Sequence, residues 1–405
     1  MKFLTGNASW SLGLVESLLL KCIYVISAGI IFTQLLDADA VSSVLFHVLI
    51  PVTVALWLLM QKNKPSKLDY LVLGIIIIAV VFVVINGIIC GADFSVSYLK
   101  KVMLFGTALL FFQIANRKRL GQSSVKFIYY TMNVITVMFV VMFFAQGAYK
   151  YWYVNRISPY LTFKFSNPNF VAMFLLCLFM LQAIWLLTKE DPKTKWIHLA
   201  LAVFLGYCIF ETRARNSQLV VILFIICFVL LLLSKRKRFA MNKIFAIVVG
   251  IFPALFFMLY MAVINSKLVN RIFGFAVSEG KDLDSRVAVW KPAIDGFKES
   301  PIIGAYYQIS EGTGTGQMHN THLDVLSSYG VIVFVLVCIF LVLILYQNGR
   351  KFQSKLKMGY MIGFCAAITM GIGEASVFAS GLCLFVFVGT FLLLAKGKEA
   401  VLYGM

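Results

Sequence analysis

Apolar runs long enough to cross a bilayer recur from one end of this chain to the other, and nothing else in the sequence constrains its fold as tightly. About 18 apolar residues in a helix reach across a hydrocarbon core of about 30 Å. Lipid offers the backbone no hydrogen-bond partner, so a spanning segment is a helix or a strand of a closed barrel. Barrel strands alternate polar with apolar residues. Residues 71–89 (LVLGIIIIAVVFVVINGII) do not alternate. The expected fold is therefore an all-α polytopic membrane protein forming one membrane domain over 1–405. Twelve spans are expected, at 13–35, 41–60, 70–89, 98–115, 125–145, 169–187, 195–210, 217–233, 243–264, 329–346, 358–376 and 378–395. A soluble reading is excluded by composition, because 61% of the residues are hydrophobic and only 13% are charged.

The formal charge of +19 would suit a nucleic-acid partner, but its placement does not. Twenty-two of the 36 Lys and Arg residues fall on alternate connectors, at the N-terminus, or just past the last run. Such a bias sets membrane orientation and puts both termini in the cytoplasm. The first apolar run lacks a cleavage pattern and reads as a retained helix. All eight cysteines lie in the apolar runs or at their edges. None has metal-ligand spacing and no disulfide framework is implied, so they read as small core residues.

Two long connectors are then expected outside, 146–168 and 265–328. The second is nearly neutral, with six basic and seven acidic residues, and it carries several aromatics. Val287, Trp290, Ile294 and Phe297 recur at helical steps and predict a short amphipathic helix, which Pro292 should kink or start. Residues 311–316 (EGTGTG) read as a flexible stretch, and Asn320 as the cap of a second helix over about 321–328.

Three clusters there carry chemistry. Arg213 and Arg215 in 211–217 (ETRARNS) sit at the outer end of a span, where no orientation signal wants them. They either snorkel to headgroups or pair with Glu211, or they form an anion site for a phosphate-bearing ligand. Arg286 with Trp290 is a second cluster. The third, residues 318–322 (MHNTH), holds two of the four histidines, His319 and His322. A helix N-terminus beside His319 would keep its imidazole neutral and fit to act as a base. His47 and His198 read as structural. No Walker loop, dinucleotide fingerprint or His-Glu-x-x-His helix is present. The acidic pairs Asp37/Asp39 and Asp282/Asp284 carry no argument.

Taken together, four stretches resemble the O-antigen ligase and O-antigen or capsular polysaccharide polymerase superfamily. Residues 165–170 (FSNPNF), with Asn167 and Asn169, are similar to its Asn-Pro-Asn segment. Residues 212–217 (TRARNS) resemble its Thr-x-Ser-Arg-small motif, with Arg215 at the arginine and Ala214 in place of the serine. Ser285-Arg286 with Trp290, followed by 301–304 (PIIG), resembles the Arg…Trp…Pro-Leu-x-Gly run of its large loop. His319-Asn320 and then Gly330 resemble its His-Asn…Gly ending.

The resemblance implies a GT-C-like glycosyltransferase that moves a glycan from an undecaprenyl-diphosphate carrier to an acceptor glycan hydroxyl, with inversion, outside the bacterial cytoplasmic membrane. His319, Arg215 and Arg286 would be catalytic. Arg213, Asn320, His322, Trp290, Asn167 and Asn169 would bind substrate. No cofactor or metal is expected, because the diphosphate leaving group already activates the donor. A polymerase is favoured over a ligase that transfers to a lipid core or protein. A flippase or transporter would instead need midplane charges, and only Glu16, Lys21 and Glu374 are candidates.

Overall fold

The computed structural model describes residues 3–62, 65–91, 96–145, 148–150, 160–165, 167–188, 191–235, 242–263, 283–307, 320–349, 354–373, 378 and 383–397. Among them the chain is helical apart from one small strand pair. The helices are α1 (Phe3–Leu35), α2 (Asp39–Gln61), α3 (Lys67–Cys90), α4 (Val96–Arg117), α5 (Gln122–Phe144), α6 (Pro168–Trp185), α7 (Pro192–Glu211), α8 (Arg215–Leu233), α9 (Lys243–Val263), α10 (Leu283–Glu299), α11 (Thr321–Gly349), α12 (Lys355–Thr369) and α13 (Leu384–Lys396). A 3-10 turn, Met370–Ile372, continues α12. Strands β1 (Tyr149–Lys150) and β2 (Tyr160–Leu161) pair antiparallel between α5 and α6.

The protein is a multi-pass membrane protein. Among the described residues eight helices (α1–α3, α5–α8 and α11) are long and apolar enough to cross a bilayer. Each of the twelve expected spans coincides with a helix, and α4, α9, α12 and α13 lie outside those eight, so a count of twelve crossings remains an expectation. The helix expected at 321–328 and the span expected at 329–346 are the two parts of α11, separated at Gly330 by a non-helical backbone (φ 79°, ψ 174°). Pro292 lies inside α10 and does not start it. The spans expected at 358–376 and 378–395 correspond to α12, which ends at Thr369 and passes into the 3-10 turn, and to α13, which starts at Leu384.

Polar residues at the helix starts define their lengths. Ser66 and Asp69 form a capping box on α3, each side chain accepting from the other's backbone N–H. Asn167 and Asp191 cap α6 and α7, each followed by a proline whose missing N–H costs nothing in the first turn. The core lies around α6 and α13, which are buried nearly all round. A helix that is apolar on every face belongs inside. By contrast α3, α7 and α8 bury one face and present Ile77, Val81, Val203, Leu223 and Leu230 outward. An apolar outer surface of this extent is a liability in water and the normal one in lipid.

At the end of the bundle where α2 finishes and α3 begins, the cations are spent on structure. Arg117 donates to Asp69 at 2.6 Å, to Gln61 at 3.2 Å and to the Met60 carbonyl at 3.4 Å. Lys118 pairs with Glu16, Lys21 donates to Ser123, and Lys396 reaches the Asn116 carbonyl. Two of the charges that a transporter reading relied on, Glu16 and Lys21, are thus bonded to α4 and the start of α5. His198 is also structural, held between Tyr129 and Gln182.

Candidate active site

The opposite end gathers the chemistry-bearing segments. Helix α7 ends at Glu211 and α8 begins at Arg215, leaving only three residues to reverse the chain. Arg213 makes the reversal possible by adopting a left-handed conformation, φ 56°. A non-glycine residue there is strained and marks a site worth explaining. Thr212 secures the turn, its hydroxyl donating to the Ile209 carbonyl at 2.7 Å and accepting from Ala214 N at 3.3 Å. The turn holds Arg213 and Arg215 out of the core, and both are exposed. The Arg213 guanidinium lies 4.9 Å over the Tyr160 ring of β2, the geometry of a cation–π contact. Tyr149 of β1 donates to Glu211 at 3.4 Å. Partial burial and the Glu211 carboxylate push its phenol up, so Tyr149 stays protonated. The two-stranded ladder is therefore fastened to both sides of the arginine turn. Arg215 has no carboxylate partner among the described residues.

The amide of Asn216, next to Arg215, donates to the Met370 carbonyl at 2.7 Å. Asn320, next to His319, donates to the Ile372 carbonyl at 2.9 Å, while its side-chain oxygen accepts from Leu323 N at 2.8 Å and caps α11 as expected. The two motifs thus seize the same 3-10 turn, at positions two residues apart. A side chain at either glycine of this turn would crowd its neighbours. A Cβ on Gly373 would lie 2.8 Å from Asn216, and one on Gly371 would lie 2.8 Å from the Thr321 hydroxyl.

The Pro-Ile-Ile-Gly segment and Gly330 form a second junction. Ala305 N donates to the Ser327 carbonyl at 2.7 Å, and Val331 N to the Pro301 carbonyl at 2.9 Å. The backbones meet face to face, with Gly304 and Gly330 both at positive φ. A Cβ on Gly330 would sit 1.9 Å from the Ile302 carbonyl oxygen. Asn86 of α3 holds the segment from the other side, donating to the Gly304 carbonyl at 3.1 Å and accepting from Tyr307 N at 3.0 Å. Lys101 of α4 bonds Asp324 at 2.8 Å and Ser328 at 3.0 Å.

The remaining expected site residues fall as follows. His319 and the 311–316 stretch lie outside the described residues, as do Asp282 and Glu374. Arg286 occupies the first turn of α10, and its side chain is outside the described part. Trp290 is buried. His322 is buried too, its Nε2 at 3.2 Å from the Gly250 carbonyl, close to Pro253 in α9. Its Nδ1 and the Ser217 hydroxyl are buried with no hydrogen-bond partner among the described residues. Asn167 is occupied as the α6 cap, accepting from Asn169 N at 2.8 Å. Tyr306 and Tyr307 are core residues, with Tyr306 5.8 Å from the Tyr329 ring. The acidic pair at 37 and 39 is a helix connector, with Asp37 at φ 62° and Asp39 accepting from Gln34.

Sequence reasoning missed the Met370–Gly373 turn, Asn86 and Lys101. Their signals were present: two glycines in an apolar run, an amide within 71–89, and a lysine inside an expected span. Among the described residues no cluster of three His, Cys, Asp or Glu is placed to hold a metal. Residues 200–338, which carry the arginine turn and the His-Asn segment, match the family described as O-antigen ligase. No curated protein matches the chain.

Proposed function

We propose that the chain, whose residues 200–338 match the O-antigen ligase family, is a membrane glycosyltransferase that polymerises a cell-surface polysaccharide from an undecaprenyl-diphosphate-linked repeat unit. The observation that carries this reading is the shared 3-10 turn. Arg215 and His319 are each one residue from an asparagine that bonds it, at the Met370 and Ile372 carbonyls. Two residues of 3-10 helix advance about 4 Å. The neighbours of Arg215 and His319 are thus held on one turn, which supports the reading that the two side chains serve one glycosyl diphosphate.

In the proposed reaction Arg215 and Arg286 hold the diphosphate, with Arg213 assisting from the strained turn. His319 takes the proton of the acceptor hydroxyl. The acceptor oxygen forms a bond to the anomeric carbon from the face opposite the diphosphate. The bond from that carbon to the leaving oxygen breaks, and its electron pair passes to the diphosphate. Fixed cations placed where that charge develops lower the barrier. Direct displacement inverts the anomeric centre and leaves no sugar on the protein. Asn320, His322, Trp290, Asn167 and Asn169 shape the surroundings. The chain sits in the cytoplasmic membrane of a bacterium with both termini inside, so the site faces out.

The test is incubation of the purified protein in nanodiscs with an undecaprenyl-diphosphate oligosaccharide, a chelator present and no nucleotide sugar added. A product ladder is expected, and Arg215→Ala or His319→Ala should abolish it. Full activity in either variant refutes the assignment, and a single transferred glycan makes the protein a ligase.

A further inference from the structure

Helix α4 packs against both α2 and α3. Between those two, above α4, runs a crevice of about 270 Å³. Ile50 of α2, Ile76 and Val83 of α3, and Met103 and Gly106 of α4 line it, and Tyr307 closes its outer end. Thr107 also lines it, but its hydroxyl is spent on the Met103 carbonyl at 2.7 Å. The crevice is therefore dry and aliphatic. It follows α4 from Val102 to Leu110, eight residues or about 12 Å. Gly106 keeps it open: a Cβ there would only touch Ile76 at ordinary contact distance, so a larger side chain would grow into the space.

A charge stands at its outer end. Lys101 precedes two lining residues of α4, and its side chain is 21% exposed. Its ammonium has three protons. Asp324 and Ser328 take two of them. Tyr306, whose ring lies 5.5 Å from the ammonium, precedes Tyr307 at the crevice mouth. The remaining proton can meet an external phosphate. The first turns of α11 separate this place from the arginine turn. They bond Lys101 on one side, and the Asn320–Thr321 start rests on the 3-10 turn that Asn216 grips on the other.

We propose that the crevice between α2, α3 and α4 is a second lipid site, which holds the polyprenyl chain of the acceptor with its diphosphate at Lys101. This deepens the polymerase reading and rests on it. The arginine turn takes the donor diphosphate, and the acceptor approaches the histidine segment from across α11. A ligase with a protein acceptor has no use for such a place.

The direct test is photolabelling of the full chain in nanodiscs with a diazirine-bearing polyprenyl diphosphate. Label is expected on α2, α3 or α4. It should persist in Gly106→Ala, disappear in Gly106→Phe, fall several-fold in Lys101→Met and resist competition by phosphatidylglycerol. If Gly106→Phe does not fold, Met103→Trp blocks the same space from a more exposed position. Label confined to other helices, label unchanged by both blocking variants, or equal competition by phosphatidylglycerol overturns the proposal. In transfer assays Gly106→Phe should slow the use of a lipid-linked acceptor about tenfold. It should leave the use of the same oligosaccharide without lipid unchanged. Equal loss on both acceptors removes the acceptor from the crevice. If the native protein is labelled there but transfers nothing, the polymerase reading fails while the lipid site stands.

Discussion

The two ends of the bundle spend their positive charge differently. Where α2, α3 and α4 meet, Arg117 is bonded to a carboxylate, an amide and a backbone carbonyl, and the carboxylate is itself tied into the cap of α3. Where α7 turns into α8, Arg215 is exposed and no carboxylate among the described residues neutralises it. Its neighbour Arg213 occupies a strained backbone position to keep the turn short. The first arrangement fastens helices. The second leaves charge exposed, as the proposed diphosphate site requires. Lys101 is intermediate: it fastens α4 to α11 and keeps part of its surface open.

The sharpest way to break this contrast is to remove each arginine in turn. Arg215→Ala should lower transfer about a thousandfold, the scale of losing a group that stabilises developing charge. Thermal unfolding should hardly change. Arg117→Ala should do the reverse, costing on the order of 1–3 kcal/mol through the stranded Asp69 carboxylate. Activity per folded molecule should be kept. Similar behaviour in the two variants, measured by melting and by single-turnover transfer, would erase the distinction.

Gly330→Ala probes the junction between the loop and α11. The added carbon meets a backbone oxygen and the residue must stay at positive φ. A loss on the order of 3 kcal/mol is expected, with less folded protein recovered from membranes. A native-like melting curve would mean that the two backbones separate at little cost. A smaller loss of stability than at Gly330 should come from Asn216→Ala, which deletes one hydrogen bond worth about 1 kcal/mol. Its value lies in the ratio of effects: transfer should fall far more than stability if the 3-10 turn sets the distance between arginine and histidine.

How much of this was legible in the sequence depends on what kind of contact was involved. The apolar runs announced the helices because every spanning backbone must bond within itself. The Thr-Arg-Ala-Arg-Asn-Ser segment announced itself by charge in the wrong place, and Asn320 by its capping chemistry. The partners of those segments were silent. Met370 and Ile372 contribute carbonyl oxygens, which every residue has, and Gly371 and Gly373 contribute only the lack of a side chain. Asn86 and Lys101 were visible as polar residues in apolar runs, yet their partners lie more than 200 positions away. The break between the 321–328 helix and the next span was legible from the Asn320 cap and the start of the apolar run, but the backbone bonds of both sides to residues 301–305, which fix it at Gly330, were not.

That junction also bears on engineering. Residues 301–305 and 327–331 touch by main chain with no room for a single methyl, so they travel as one solid piece. A chimera built to change sugar preference should splice upstream, between α9 and the end of α10. It should take everything from Pro301 through the kink from a single parent.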